Sequence, residues 1–356
     1  MKSTKVLVVG LGRTGYATVR FLVDRGARVT VTDIKPASSI ECFDDLKGMG
    51  ISVECGGHNI ETFLSSDLII VSPGVIPGLP ALEKAREHGV ETISEIELAS
   101  GFIDRPILAV TGTNGKTTTT TLLGKVLSAA GRKVFVCGNI GVPLVEYLVS
   151  DKVADDIVVE VSSFQLEGIR RFRPNVAVLL NITSDHLDRY PTIEEYCTAK
   201  FKIFKNQKAG DLAIFNYDDQ MIRSRIQMIE EHVRTMPFSI SRVLDEGVYY
   251  SDGEIIYSCN GVRESYPTTN FKLSGSHNLE NIMAVIAAAR GCGIPRDKIL
   301  DAVNDFNGLP HRMEAIRKVD DVLYFNDSKG TNIGALIRTL ESMGGPTILI
   351  AGGRDK

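Results

Sequence analysis

Residues 111–118 read Thr-Gly-Thr-Asn-Gly-Lys-Thr-Thr, after the apolar run Ile-Leu-Ala-Val and before a helix-forming stretch. No other segment restricts this chain as much. Gly112 and Gly115 let backbone N–H groups close around phosphate oxygens, and the helix that follows adds partial positive charge at its N-terminus. Lys116 is placed to offset charge on β- and γ-phosphates, and Thr117 to offer its hydroxyl to Mg²⁺. The longer form of this loop has a glycine five positions before Gly115, where this chain has Val110, so the match is to a shorter G-x-x-G-K-T form. The plainer reading is a glycine-rich turn with an exposed lysine. It leaves the strand–loop–helix setting unexplained.

The 356 residues are more than one ordinary core needs, so two or three domains are expected. With 43% hydrophobic and 24% charged residues, the balance is that of a globular protein. The net charge of −4 argues against a nucleic-acid partner, which would call for a basic surplus. Cys42, Cys55, Cys137, Cys197, Cys259 and Cys292 are scattered with no C-x-x-C pair, which reads as reduced thiols in a cytoplasmic protein without a zinc site. The apolar run near the N-terminus is short and broken by glycines, so it reads as a buried strand, not a signal peptide. No apolar run approaches the ~20 residues of a membrane span, so no membrane insertion is expected.

Along the chain, apolar strand, glycine-bearing loop and amphipathic helix alternate, the pattern of an α/β protein with mainly parallel sheets. Three blocks are expected: 1–96, 97–308 and 309–356. Strands are predicted at KVLVVG, RVTVTD and DLIIVSPG in the first. ILAVTG, KVFVCG, DIVVEVSS, NVAVLLNI and LAIFNYDD follow in the second, which closes with helices over about 277–290 and 298–305. The third holds VLYFNDS and TILIAGG and ends directly after a strand, which suggests a fragment or an early stop.

Several residues stand out near the loop. Glu160 lies in an apolar strand, where a carboxylate is costly unless it is paired or binds a cation. His186 follows another strand, at the end where α/β proteins hold ligands. Each has a bland alternative, an edge-facing glutamate and a structural histidine. Lys200 reads on its own as a solvated helix lysine. Asn278 and Asn281, three apart on a helix, share a face and would either bracket an adenine ring or cap a loop. In the first block, Gly10, Gly12 and Gly15 form G-L-G-R-T-G, and Asp33 ends the next strand about 20 residues on. That is the dinucleotide-binding fingerprint, but it also suits a tight turn or a different phosphate-bearing ligand.

Taken together, GLGRTG, SPG at 72–74, GTNGKTT, GNIG at 138–141, EVSSFQLE, NITSDHLDRY, the YCTAK lysine, HNLEN, GLPHRME and NDSKGTN resemble the Mur ligase family of bacterial peptidoglycan synthesis, over the whole chain. The resemblance implies a Rossmann-like N-terminal domain, a central phosphate-loop ATPase-type domain and a truncated Rossmann-like C-terminal domain. It implies an ATP-dependent ligase, active with two Mg²⁺ ions in the cytoplasm as a monomer. GLPHRME and NDSKGTN favour the members that join D-glutamate to UDP-N-acetylmuramoyl-L-alanine. On that footing Arg13, Thr14, Asp33, Ile34 and Lys35 meet the uracil end of the UDP substrate, and Ser72, Gly74 and Asn139 its diphosphate and sugar. Ile34 and Lys35 stand where relatives can carry threonine and arginine. Gly112, Thr113, Asn114, Gly115, Lys116, Thr117 and Thr118 hold ATP together with Asn278, Asn281, Arg312 and Asp327. Thr117, Glu160, His186 and a carbamylated Lys200 belong to the metal side, and His186 also to the substrate. Lys116, Glu160, His186 and Lys200 are the implied catalytic set. Lys329, Thr331 and Lys356 are the implied D-glutamate contacts.

The resemblance also implies that the third block closes Lys329 over the site, and that further D-glutamate contacts lie past Lys356. The chain is therefore expected to bind the UDP substrate and to ligate poorly. Competing readings are an NAD-dependent dehydrogenase, which leaves GTNGKTT unexplained, and a nucleotide-switched binding module, which leaves Glu160 and His186 without work. A folate-polyglutamylating relative would not need the first block.

Overall fold

The structure is a computed structural model that describes residues 1–75, 78–185, 189–273 and 275–353. The chain forms two compact units that do not follow sequence order. One gathers Met1–Arg105, Cys137–Val153 and Val161–Arg173; the other gathers Pro106–Val136, Ala154–Glu160 and everything from Pro174 onward.

The first unit holds five strands, β1 (Lys5–Val9), β2 (Arg28–Asp33), β3 (Ser52–Cys55), β4 (Leu68–Val71) and β5 (Glu91–Ser94). They pair in the order β3-β2-β1-β4-β5, all parallel. Val6 to Val9 are at most 1% exposed, because a strand covered by helices on both faces must be apolar throughout. The order reverses between β1 and β4, and loops at such a switch point form a crevice at the strands' C-terminal ends. GLGRTG leaves β1 there and Ser72 leaves β4.

Two carboxylates explain why 137–153 and 161–173 join this unit. Both sit on the helix Glu95–Ser100. Glu95 accepts the Val145 N–H at 2.5 Å, and Glu97 accepts those of Arg170, Arg171 and Phe172 at 2.8–2.9 Å. N–H groups of covered loops that no strand satisfies need such partners.

The second unit is built on a nine-stranded sheet. Its strands are β6 (Ile107–Thr111), β7 (Val134–Gly138), β8 (Asp156–Glu160), β9 (Val176–Leu179), β10 (Leu212–Asn216), β11 (Arg234–Ser239), β12 (Gly247–Ser251), β13 (Glu254–Cys259) and β14 (Val262–Pro267). The order is β14-β13-β12-β11-β10-β9-β6-β8-β7. Pairing is parallel from β8 through β12, and β12–β13–β14 is an antiparallel meander. β6 is an interior strand, between β9 and β8, and is wholly buried. The helix Ser276–Gly291 packs on β9–β13 and on the helix Lys116–Ala129. Its residues 282–289 are each 0% exposed, so it is apolar all round instead of amphipathic.

In the third block β15 (Glu314–Val319) and β16 (Val322–Asn326) form an antiparallel pair, followed by the helix Ile333–Glu341. The expected strand TILIAGG is not formed: Ile348 and Ile350 are 91% and 94% exposed. A strand exists only through a hydrogen-bonded neighbour, and no described strand lies beside this one.

Candidate active site

The phosphate loop follows β6, with β8 and β9 as its neighbours in the sheet. Gly115 has φ +85°, and a Cβ built on it would sit 2.2 Å from Asn281 Oδ1. The backbone is left-handed and the space is taken, so glycine is required twice over. Asn281 Oδ1 in turn accepts the Thr119 hydroxyl at 3.2 Å, and its Nδ2 lies 3.5 Å from Asn278 Oδ1. Of the two roles expected for this pair, Asn281 is therefore seen bracing the loop.

Other ties hold the loop to the segment after β9. Asn181 accepts the Asn114 N–H at 2.8 Å and donates to the Asn114 carbonyl at 3.1 Å, while its own carbonyl accepts the Thr113 N–H at 2.9 Å. The Thr113 hydroxyl accepts the Thr183 N–H at 3.0 Å and lies 3.3 Å from the Tyr196 hydroxyl. A loop fixed this way presents its amides without further ordering cost.

Lys116 Nζ donates to the carbonyls of Gly112 and Thr113 at 2.9 and 2.7 Å. Burial pushes its pKa down, Arg312 adds to that, and Glu160 and Asp185 oppose it. Lys200 is not a solvated lysine: it is 1% exposed, donates to the Gly112 carbonyl at 2.8 Å, and has its ammonium 4.5 Å from the centre of the Tyr196 ring. Burial, then Lys116, drives its pKa well below the usual lysine range, against the pull of Asp185 and Glu160. The cause of the error is simple. Helical spacing does not reveal that the helix Ile193–Phe201 buries the face carrying Lys200.

Glu160 ends β8 beside Val110 of β6 and is 2% exposed. It accepts the Thr117 hydroxyl at 2.8 Å, and that hydroxyl accepts from Arg312 Nη2 at 2.8 Å. Two hard oxygens 2.8 Å apart suit Mg²⁺, whose neighbouring ligands at about 2.1 Å lie roughly 3 Å from each other. Asn332 donates to Asn114 Oδ1 and to Asp185 Oδ2, both at 3.1 Å. Asp327 accepts the Met313 N–H at 3.1 Å and the Thr339 hydroxyl at 2.6 Å, so it braces the strip carrying Arg312. Lys329 and Thr331 are exposed on the same block. His186 and Lys356 lie outside the described residues.

Arg13, Thr14, Asp33, Ile34, Lys35, Ser72, Gly74 and Asn139 all fall in the first unit. Asp33 accepts the Leu11 N–H at 2.7 Å and the Lys35 N–H at 2.9 Å, one on each carboxylate oxygen. Ser72 donates to the Gly10 carbonyl at 3.0 Å. Ile34 is 63% exposed beside them. Sequence reasoning passed over Asn181, Thr183, Tyr196 and Asn332 as individuals; their only mark was membership of the motifs around His186, Lys200 and Lys329.

This chain belongs to the Mur ligase family. The Mur ligase middle domain matches residues 110–289, and the N-terminal domain described as Mur ligase MurD-like matches 4–94. The UDP-N-acetylmuramoylalanine–D-glutamate ligase of Geotalea daltonii is 50% identical over 357 residues, covering 100% of this chain and 78% of its own length. The enzyme of the same name from Geotalea uraniireducens is 48% identical over 353 residues, 99% of this chain and 78% of its own. Among solved structures, the pseudomurein peptide ligase type C of Methanothermus fervidus superposes with a TM-score of 0.56 at 22% identity, over 96% of this chain and 77% of that one. The MurF ligase of Thermotoga maritima in complex with ADP gives 0.56 at 19% identity, over 96% and 72%. Those two likenesses carry the fold. Among the described residues, no helix is long and apolar enough to cross a membrane.

Proposed function

We propose that this chain joins D-glutamate to UDP-N-acetylmuramoyl-L-alanine at the expense of ATP, through an acyl phosphate. The observation that carries the reading is the Thr117 hydroxyl held between buried Glu160 and Arg312 at a glycine loop, in a chain about half identical to ligases of that name. The dehydrogenase alternative is set aside, since relatives matched over nearly the whole chain are ligases.

The alanyl carboxylate and the γ-phosphate are both anionic, so cations must offset their repulsion. Lys116 does this at the β- and γ-phosphates, which compete with the Gly112 and Thr113 carbonyls for its ammonium. Arg312 adds a second cation beside Thr117. Loop N–H groups, with Asn278, Asn281 and Asp327 nearby, orient the nucleotide. A carboxylate oxygen bonds to the γ-phosphorus as the bond to ADP breaks. The neutral D-glutamate amine, set by Lys329, Thr331 and Lys356, then adds to the acyl carbon. The resulting tetrahedral carbon expels phosphate, and the amine's proton passes to solvent.

Thr117 Oγ1 and Glu160 Oε2, with His186, are the residues that would hold Mg²⁺, which when bound supplies further positive charge at the phosphates. A second ion is assigned to the Lys200 side. In this reading the Lys200 ammonium gives up one proton, and the neutral amine then adds to the carbon of CO₂ and releases a second, turning a buried cation into an anion beside Lys116. Arg13, Thr14, Asp33, Ile34, Lys35, Ser72, Gly74 and Asn139 take the UDP-sugar.

Calorimetric titration tests the reading directly. Saturable binding of UDP-N-acetylmuramoyl-L-alanine with none of NAD is expected. Binding of NAD alone would sink the ligase assignment.

A further inference from the structure

Glu95 opens the helix Glu95–Ser100 and is 1% exposed. Its Oε1 accepts the Val145 N–H at 2.5 Å. Oε2 is buried with no hydrogen-bond partner. A carboxylate kept in that state costs stability, and it is retained where the geometry it sets matters more.

What it sets is the end of a loop. Gly138 donates to the Val142 carbonyl at 2.8 Å, closing a five-residue turn with positive φ at Gly138 (+108°) and Gly141 (+64°). Asn139 is exposed within that turn. The chain leaves it through Pro143, whose ring fixes φ, into Leu144 and Val145, each 0% exposed. The turn therefore has one stiff stem, and Glu95 holds its base. Glu97, on the same helix, instead accepts three N–H groups at 170–172, a segment to which no substrate contact is assigned.

We propose that Glu95 is a positioning residue for the UDP-linked substrate: by fixing the N–H of Val145 it aims Asn139 at that ligand. The proposal rests on the reading of Asn139 as a substrate contact. Glu95 itself touches no ligand.

A double-mutant cycle separates the two claims, read as the affinity of the full chain for UDP-N-acetylmuramoyl-L-alanine, with ATP affinity as the control. Asn139→Ala is expected to weaken the UDP compound about tenfold, the scale of one lost hydrogen bond. Glu95→Ala is expected to cost about fivefold, and the double variant no more than Asn139→Ala alone, because Glu95 acts through Asn139. ATP affinity is expected to hold throughout. Glu95→Gln restores binding to within about twofold, since its carbonyl still accepts the Val145 N–H. Should Glu95→Ala not fold, Glu95→Asp, whose carboxylate falls one methylene short, runs the same cycle. Wild-type affinity in the Glu95 variant beside a weakened Asn139→Ala overturns the positioning role alone. Wild-type affinity in Asn139→Ala overturns the substrate reading of the loop and the proposal with it. Multiplicative loss in the double variant, or parallel loss of ATP affinity, makes Glu95 a general structural residue and also overturns it.

Discussion

Thr117 and Arg312, 195 residues apart in sequence, share a 2.8 Å hydrogen bond in which the guanidinium donates to the threonine hydroxyl. That hydroxyl donates onward to Glu160, so one oxygen links the phosphate loop, the end of β8 and the third block. Replacing Thr117 with valine keeps the shape and removes both bonds. Hydrogen bonds to charged partners are worth about 1.5–3 kcal/mol each, so Mg²⁺–ATP affinity is expected to fall at least tenfold. Thr117→Ser should recover most of it. Nucleotide titration of the two variants decides the matter, and equal affinity in wild type and Thr117→Val would remove this hydroxyl from the site.

Gly115→Ala tests the loop from its backbone. The left-handed conformation at φ +85° costs an alanine about 1–2 kcal/mol, and its methyl group would press on Asn281 Oδ1. ATP binding is expected to weaken by tenfold or more, because Asn281 cannot yield without releasing Thr119. A folded Gly115→Ala protein with normal ATP affinity would falsify the role given to this contact.

Gly15→Ala makes the parallel case in the first unit. A Cβ there would lie 1.9 Å from the Gly10 carbonyl oxygen, so strand end and helix start must separate. Overpacking of this kind costs about 1–3 kcal/mol and shifts the loop against which Ser72 is set. We expect a lower melting temperature and loss of UDP-substrate binding, with ATP affinity retained. Calorimetry with both ligands reads this out, and unchanged UDP-substrate binding would exclude the GLGRTG turn from that site.

Glu95 gives the protein a pH signature. Burial pushes its carboxyl from 4.5 up to about 7, with the Val145 and Leu144 N–H groups pulling the other way. Between those values the folded protein keeps a proton that the unfolded chain has lost. Stability therefore falls as pH rises through this window, and the full loss, on the order of 3 kcal/mol, is present above about 7. Cys137, which faces it, has its thiol pushed well up by burial and stays protonated across the same range. In Glu95→Gln the contribution is gone, so the melting temperature of the variant relative to wild type should climb from pH 5 to pH 8. Parallel melting curves for the two proteins over that range would contradict the assignment.

Some of what went unread was legible. The meander β12–β14 turns at Asp252-Gly253 and Asn260-Gly261, where all four residues have φ between 50° and 83°. Asp-Gly and Asn-Gly between alternating apolar residues are the strongest short-range hairpin signals, because tight two-residue turns need positive φ. Other failures had no local signal. Lys200 sits on a helix whose pattern gives no reason to bury a cation, and TILIAGG has the composition of a strand without a described neighbour to pair with. Whether a side chain is covered and whether a strand is paired are decided by segments distant in sequence.

The sequence by itself determined the local pieces: a strand, a glycine loop and a helix at 107–129, the same at 5–24, and the motifs that mark the family. These are matters of φ restriction, apolar periodicity and short-range spacing, which neighbouring residues settle. Tertiary structure alone decided which pieces meet. It placed Arg312 on Thr117, Asn281 under Gly115 and Asn332 on Asn114. It also stitched 137–153 and 161–173 onto the first unit through Glu95 and Glu97. Those contacts span tens to hundreds of residues. Their energy comes from satisfying polar groups that the packed sheet has removed from water, and only the assembled fold determines which groups those are.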